Sequence, residues 1–250
     1  MLTDIDDTLT SEGEIPMGVA AALAALRAAG LPVLAVTGRP MGWSVPIVEG
    51  TALAAVVAEN GAVALFMDGD ALRIEYAQGE AERAANALRL RAAAARVLRD
   101  VPGAMLARDS AGRVTDIAVD HAEFAHLSVA QIERVVAVMH DEGMHATVSS
   151  IHVNGWFGEH SKLTGARWIV QRLLDRDLEA ERAHWVYVGD STNDQLMFAQ
   201  FPLSVGVANI ADFADRLTQW PAFITRHDRG RGFVEVAEAL LGARPAPTRR

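Results

Sequence analysis

Apolar runs of strand length, separated by stretches with helical spacing, recur along this chain, and they constrain its fold more than any other feature. Leu23 and Leu26 among alanines make residues 17–29 a helix that Gly30 ends. Pro32 then leads into Val33-Leu34-Ala35-Val36, which stops at Thr37-Gly38-Arg39-Pro40. Ala54 to Ala58 is a second buried strand, ending in Glu59-Asn60-Gly61. This strand–helix–strand rhythm belongs to a parallel sheet with helices packed on it, an α/β architecture. Val63–Phe66 and Leu72–Tyr76, joined across Asp68-Gly69-Asp70, read as a hairpin.

The rhythm changes after Tyr76. Residues 80–99 form one long Ala/Arg-rich helix, and its arginines read as a solvated face. Strands follow at Ala104–Ala107 and Val114–Val119 with a turn at 109–112, then a helix over 128–142 and strands at 144–150 and 151–156. The block is αββαββ with antiparallel pairing, of a size normal for a small domain. The first pattern then resumes with a helix at 161–177 and strand Trp185-Val186-Tyr187-Val188. A helix near 193–200, a strand at 203–207, a short helix near 209–217, a strand at 222–224 and a closing helix from Gly232 to Leu241 complete it. Residues 242–250 read as a mobile Pro/Arg tail. The expected organisation is a doubly wound parallel-sheet core, residues 1–79 and 157–250, with residues 80–156 inserted as a second, α+β domain.

Composition narrows the function. The 250 residues carry 32 acidic and 23 basic side chains, a net charge of −9, which argues against nucleic acid as a partner. The absence of cysteine excludes disulfides, thiol catalysis and zinc–thiolate sites. No apolar run is long enough for a membrane helix and no leader pattern opens the chain, so a cytoplasmic protein, monomer or homodimer, is expected. Lys162 is the only lysine; every other basic residue is arginine. A lone ammonium in so arginine-rich a chain points to a task that needs a compact point charge.

Chemistry concentrates at the predicted strand ends. Asp4, Asp6 and Asp7 crowd the first seven residues. Like charges at 4 Å near a protein surface repel by about 4 kcal/mol per pair, so this loop calls for a divalent cation with oxygen ligands. An acidic helix cap is the alternative, but Thr8 to Pro16 carries no helical stripe. Loops at the carboxyl ends of a doubly wound sheet converge. There the first loop would meet Thr37-Gly38-Arg39, the Lys162 region and Gly189-Asp190 with Asn193-Asp194. A carboxylate nucleophile attacking a phosphoryl group needs this set. Asp190 would complete an oxygen-only Mg2+ site with the first loop, Lys162 would neutralise nucleophile and phosphate, and Thr37 hydroxyl and Gly38 amide would hold the phosphate. A second carboxyl two residues on, facing the same side, would protonate the leaving group and then activate water.

These four motifs, in this order, resemble those of the haloacid dehalogenase (HAD) superfamily of phosphohydrolases. More narrowly, the chain is similar to the branch with an αββαββ cap between the second and third motifs (IIB type), whose members are Cof-like, sucrose-phosphatase-like and mannosyl-3-phosphoglycerate-phosphatase-like. Asn60-Gly61-Ala62 and Ile224-Thr225 with Gly232-Phe233 are softer signs of it. The resemblance implies a Rossmann-like core and a Mg2+-dependent phosphatase of a small phosphorylated metabolite, such as a sugar phosphate, acting through an aspartyl-phosphate. It implies Asp4 as nucleophile, Asp6 as general acid/base, Thr37 and Lys162 on phosphate, and Asn193 orienting the phosphoryl group. Asp4, the Asp6 carbonyl and Asp190 would bind Mg2+, with Asp194 supporting through water. A phosphomutase on the same scaffold is the alternative; a receiver-like phosphoacceptor would lack the insert and the Asp190–Asp194 loop.

Three features depart from the pattern. Asp7 stands where Gly is usual and has no assigned role; Leu163 stands where sugar-phosphatase relatives commonly have Gly. Only three residues precede Asp4, so either the chain starts upstream of Met1 or the strand is clipped, since strands usually run about five residues. In the insert, Ser150, His152, Asn154 and Trp156 alternate with Ile151 and Val153. That face suits a polyol, with His152 and Asn154 as substrate contacts, and suits an ordinary solvated sheet equally. Arg39 would grip a substrate carboxylate or second phosphate, or pair structurally.

Overall fold

A computed structural model describes residues 1–243; the expected tail lies outside the described residues from 244 onward. In chain order the first stretch holds β1 (Leu2–Thr3), α1 (Met17–Ala28), β2 (Leu34–Val36), α2 (Met41–Gly50), β3 (Ala55–Ala58), β4 (Val63–Asp68) and β5 (Ala71–Tyr76). The middle stretch holds α3 (Glu80–Asp100), β6 (Met105–Leu106), β7 (Asp116–Asp120), α4 (Val129–Asp141), β8 (His145–Val148) and β9 (His152–Trp156). The last holds α5 (Lys162–Leu174), β10 (Val186–Gly189), α6 (Gln195–Gln200), β11 (Leu203–Gly206), a 3-10 segment (Ala208–Arg216), β12 (Phe223–Ile224) and α7 (Arg229–Gly242).

Eight strands form one sheet in the order β12-β11-β10-β1-β2-β3-β4-β5. The first six are parallel, and the β4–β5 hairpin adds two antiparallel strands at one edge. Alternating strand residues divide the core. Leu34, Val36, Ala55 and Val57 pack with Leu163, Ile169, Val170 and Phe198 on one face. Ala35, Val56 and Ala58 pack with Val19, Leu23, Leu26 and Phe233 on the other. Both faces are covered by helices, as a parallel sheet of such apolar strands requires. β1 is short but central: Leu2 pairs with Leu34 and Tyr187, and the Asp4 amide donates to the Val188 carbonyl at 2.8 Å.

The middle stretch forms a separate antiparallel sheet, β6-β7-β9-β8. Ile117, Val119 and Val153 pack under Leu90, Ala93, Val97, Val135, Val138 and Met139 of α3 and α4. The opposite face carries Asp116, Asp120, His152, Asn154 and Trp156. All five are buried, so this face is covered rather than solvated. The sequence reading misses one helix. No element is assigned between Pro40 and Ala54, yet Met41–Gly50 is helical with Pro46 inside it. Burial of Ser44 and Val48 overrides the poor local propensity.

Candidate active site

Four loops at the carboxyl ends of β1, β2, β3 and β10 meet the N-terminus of α5. The start of α5 is set locally: the Ser161 hydroxyl accepts from the Thr164 amide (3.2 Å), and the Thr164 hydroxyl accepts from the Ser161 amide (2.8 Å). Two glycines seat it. Gly61 has φ +108°, and a side-chain carbon there would overlap the Ser161 carbonyl; one at Gly165 would overlap the Gly61 backbone. Lys162 therefore begins the helix in a buried position, where the helix dipole opposes its charge. Asp4 Oδ1 (2.8 Å) and Asp194 Oδ1 (2.7 Å) compensate it. Burial alone would lower the lysine, but Asp194 and Asp4 outweigh it and hold Lys162 above its usual value, as ammonium.

Asp194 is saturated with donors. Its Oδ1 accepts from Lys162 and the Tyr187 hydroxyl (2.5 Å), and its Oδ2 from the amides of Asp190 (2.9 Å) and Ser191 (3.2 Å). Gly189 makes room for it, since a side-chain carbon there would strike the Asp194 carboxylate. Asp190 is served differently: Thr8 Oγ1 and Asn209 Nδ2 approach it only to 3.5 and 3.3 Å. Oxygens of Asp4, Asp190 and Asp194 all lie within 4.8 Å of one another.

The electrostatics follow. Burial pushes Asp4 up to about 7 against the pull of Lys162, and burial, then Asp194 and Asp4, push Asp190 well above the carboxylate range. Three buried carboxylates share one ammonium, which leaves the pocket short of positive charge. A hard divalent cation with oxygen ligands fits that deficit.

The remaining candidate residues fall into two groups. Thr37 is buried, and its hydroxyl accepts from the Arg39 amide at 3.0 Å. Asn193 accepts from the Ser191 hydroxyl at 3.0 Å within the Asp190–Asp194 loop. Asp6, in the first loop, is turned to Arg39 (2.8 Å). Asn154 reaches from the second sheet to the Gly38 carbonyl and to Asp116, both at 3.2 Å. His152 meets Glu123 at 3.0 Å rather than the carboxylate pocket.

Asp7 has φ +51°, which accounts for the glycine usual at this position; here Asp7 pairs with Arg229 at 3.0 Å. Sequence reasoning misses Asn209, whose side-chain amide joins the Asp7 carbonyl (3.1 Å), Asp190 and the Arg229 amide (2.9 Å). It also misses the seam between the two sheets. The Glu59 carboxylate accepts from the amides of Met41, Val114 and Thr115 and from the Thr115 hydroxyl, and Arg113 donates to Gly38 O and Asp116. The only sequence signal was the Glu59-Asn60-Gly61 turn.

Residues 1–89 match the family of haloacid dehalogenase-like hydrolases. No curated protein sequence matches the chain. Among solved structures, the Thermoplasma acidophilum protein 0175 superposes with a TM-score of 0.69 at 16% identity, over 96% of each chain. The sucrose-phosphatase of Synechocystis sp. PCC6803, solved with sucrose and phosphate, gives 0.67 at 14% over 96% of each. The HAD subclass IIB sugar phosphatase BT4131 gives 0.65 at 15%, over 96% of this chain and 97% of its own. At such identities the likeness is one of fold. No helix among the described residues is long and apolar enough to cross a membrane.

Proposed function

We propose that this chain, whose residues 1–89 match the haloacid dehalogenase-like hydrolases, is a Mg2+-dependent phosphatase that cleaves a phosphate monoester of a small cytoplasmic metabolite through an aspartyl-phosphate. The observation that carries this reading is the bridge of Lys162 between Asp4 and Asp194, with an Asp190 oxygen within 4.8 Å of both carboxylates. Asp4, the Asp6 main-chain carbonyl and Asp190 would hold the cation, with Asp194 in support. When bound, the cation neutralises these carboxylates and the charge that builds on the phosphoryl oxygens.

The chain's own groups supply the rest. Lys162 fixes Asp4 and meets a phosphate oxygen; Thr37 hydroxyl, Gly38 amide and Asn193 orient the phosphoryl group. An Asp4 oxygen attacks phosphorus while the bond to the leaving oxygen breaks, and Asp6 gives that oxygen its proton. Asp6 then takes a proton from water, whose oxygen attacks phosphorus and breaks the Asp4–phosphate bond, which frees phosphate and restores Asp4.

Residues 80–156 act as the cap in this reading, with 1–79 and 157–250 as the catalytic core. A sugar phosphate is the favoured substrate class. Asn154 of the second sheet reaches the Gly38 turn, and structural neighbours include a sugar phosphatase and a sucrose-phosphatase. The test is a Mg2+-supplemented phosphate-release screen over sugar phosphates, nucleotides and glycerate derivatives, with Asp4→Asn alongside. Wild type releases phosphate and Asp4→Asn keeps the fold without turnover. Residual turnover above about a tenth of wild type sinks the nucleophile assignment.

A further inference from the structure

Arg39 occupies an unusual position for a residue expected to grip substrate. Its side chain is 7% exposed, and its donors are engaged on three sides. Nε donates to both Asp6 oxygens at 2.8 and 3.1 Å, Nη1 to Asp109 at 3.3 Å and Nη2 to Glu123 at 3.1 Å. Trp43 lies beneath the guanidinium, its ring centre 4.9 Å away. Asp6 belongs to the first catalytic loop; Asp109 and Glu123 belong to the inserted segment.

Each cap carboxylate is itself held. Arg113 meets Asp109 at 3.2 Å and also donates to the Gly38 carbonyl at 2.9 Å. His152 meets Glu123 at 3.0 Å, and that hydrogen bond holds the Glu123 carboxyl down at about 2. The Glu123 turn is fixed by Asp120, which accepts from the amides of Glu123 and Phe124 at 2.9 Å. One guanidinium among three carboxylates has no surplus charge for a further anion. Its donors form a rigid planar fork, so it cannot turn toward one partner without leaving the others.

We infer that Arg39 is a positioning residue that ties the orientation of Asp6 to the seating of the cap, with Asp109 and Glu123 as the cap's half of the contact. The inference rests on the proposed role of Asp6 as general acid/base. With both cap carboxylates in place the guanidinium is anchored at three points and Asp6 is held against it. With them withdrawn, the Arg39–Asp6 pair keeps one anchor and is free to swing as a unit. The cap thereby reports its closure to the group that protonates the leaving oxygen, and turnover is reserved for a seated cap.

The test uses Asp109→Asn/Glu123→Gln, near-isosteric changes at residues that touch neither Asp4 nor Asp6. Two substrates are compared: a hexose 6-phosphate, whose alkoxide must be protonated, and p-nitrophenyl phosphate, whose leaving group departs as the anion. The expected result is a loss of about tenfold or more in kcat for the hexose ester at little change in KM. First-turnover nitrophenol release stays within about threefold of wild type. The triple variant, Arg39→Lys combined with both cap changes, loses no more in total than Arg39→Lys alone, because all three changes break one linkage. Equal losses on both substrates, a raised KM with kcat intact, or additive losses each overturn the inference. Asp6→Asn, run in parallel, separates the two readings. A leaving-group bias in Asp6→Asn that the cap variants lack overturns the Arg39 linkage alone. Absence of bias in Asp6→Asn overturns the acid/base assignment, and the linkage with it.

Discussion

Glu59 and Asp190 are equally buried, 0% and 1% exposed, and each follows a strand of the same sheet at its carboxyl end. Their surroundings are opposite. Glu59 accepts from the Met41 amide (3.0 Å), the Val114 and Thr115 amides (3.1 and 2.6 Å) and the Thr115 hydroxyl (2.5 Å), drawn from both sides of the seam. Asp190 has Thr8 and Asn209 at 3.5 and 3.3 Å and faces Asp4 and Asp194. Burial and then Asp116 raise Glu59, its donors pull it back, and it settles at about 6; Asp190 is raised by burial, Asp194 and Asp4, with Lys162 pulling the other way. A buried carboxylate supplied with donors fastens two parts of a structure. One short of donors, among other carboxylates, is suited to a cation with oxygen ligands.

The contrast breaks if the two residues respond alike. Asp190→Asn should lower Mg2+-supported turnover by about 100-fold or more. It should also raise the unfolding midpoint of the metal-free protein, because one of three crowded carboxylates is gone; a fall in that midpoint would contradict the account. Next in size, Mg2+ at about 100 times its dissociation constant should stabilise wild type by about 2.7 kcal/mol in urea denaturation, and EDTA should remove the increment. Asp190→Asn should lose most of that increment, and Glu59→Gln should keep it. Glu59→Gln should instead cost about 1–3 kcal/mol at neutral pH by turning an amide NH2 toward backbone donors. Unchanged stability there would make the seam an incidental contact.

The smallest effect is a pH dependence. Glu59 is raised from 4.5 to about 6 in the folded protein. Its contribution is therefore fully present below about 4.5 and lost as pH rises through about 6, up to about 2 kcal/mol in all. The stability difference between wild type and Glu59→Gln should shrink over that window as pH rises. A difference that is flat or grows would contradict the assignment.

The core was legible because it is written locally. Apolar runs such as Val33–Val36 form buried strands wherever they occur, and the β4–β5 hairpin and the order of the inserted elements follow from turns and spacing. Lys162 stood out because no other lysine exists, and the structure places it between Asp4 and Asp194. Distant contacts outside the four motifs were not legible. Glu59 meets Thr115, Arg39 meets Glu123 and Asn209 meets Asp7 across intervals that carry no periodic signal. Helix Met41–Gly50 was hidden for the opposite reason: its local signals, Pro46 above all, point away from helix, and packing of Val48 decides otherwise. Asp7 had no role in the sequence; its left-handed backbone and its pair with Arg229 supply one, holding the first loop against the start of α7.

The central claim is that Asp4 carries the phosphoryl group during turnover. Wild-type protein mixed with Mg2+ and p-nitrophenyl phosphate, quenched in acid within the first turnover and digested for mass spectrometry, tests it directly. The account predicts phosphate on the peptide containing Asp4, absent from Asp4→Asn. Turnover with no phosphorylated peptide, or with phosphate on another residue, would contradict it.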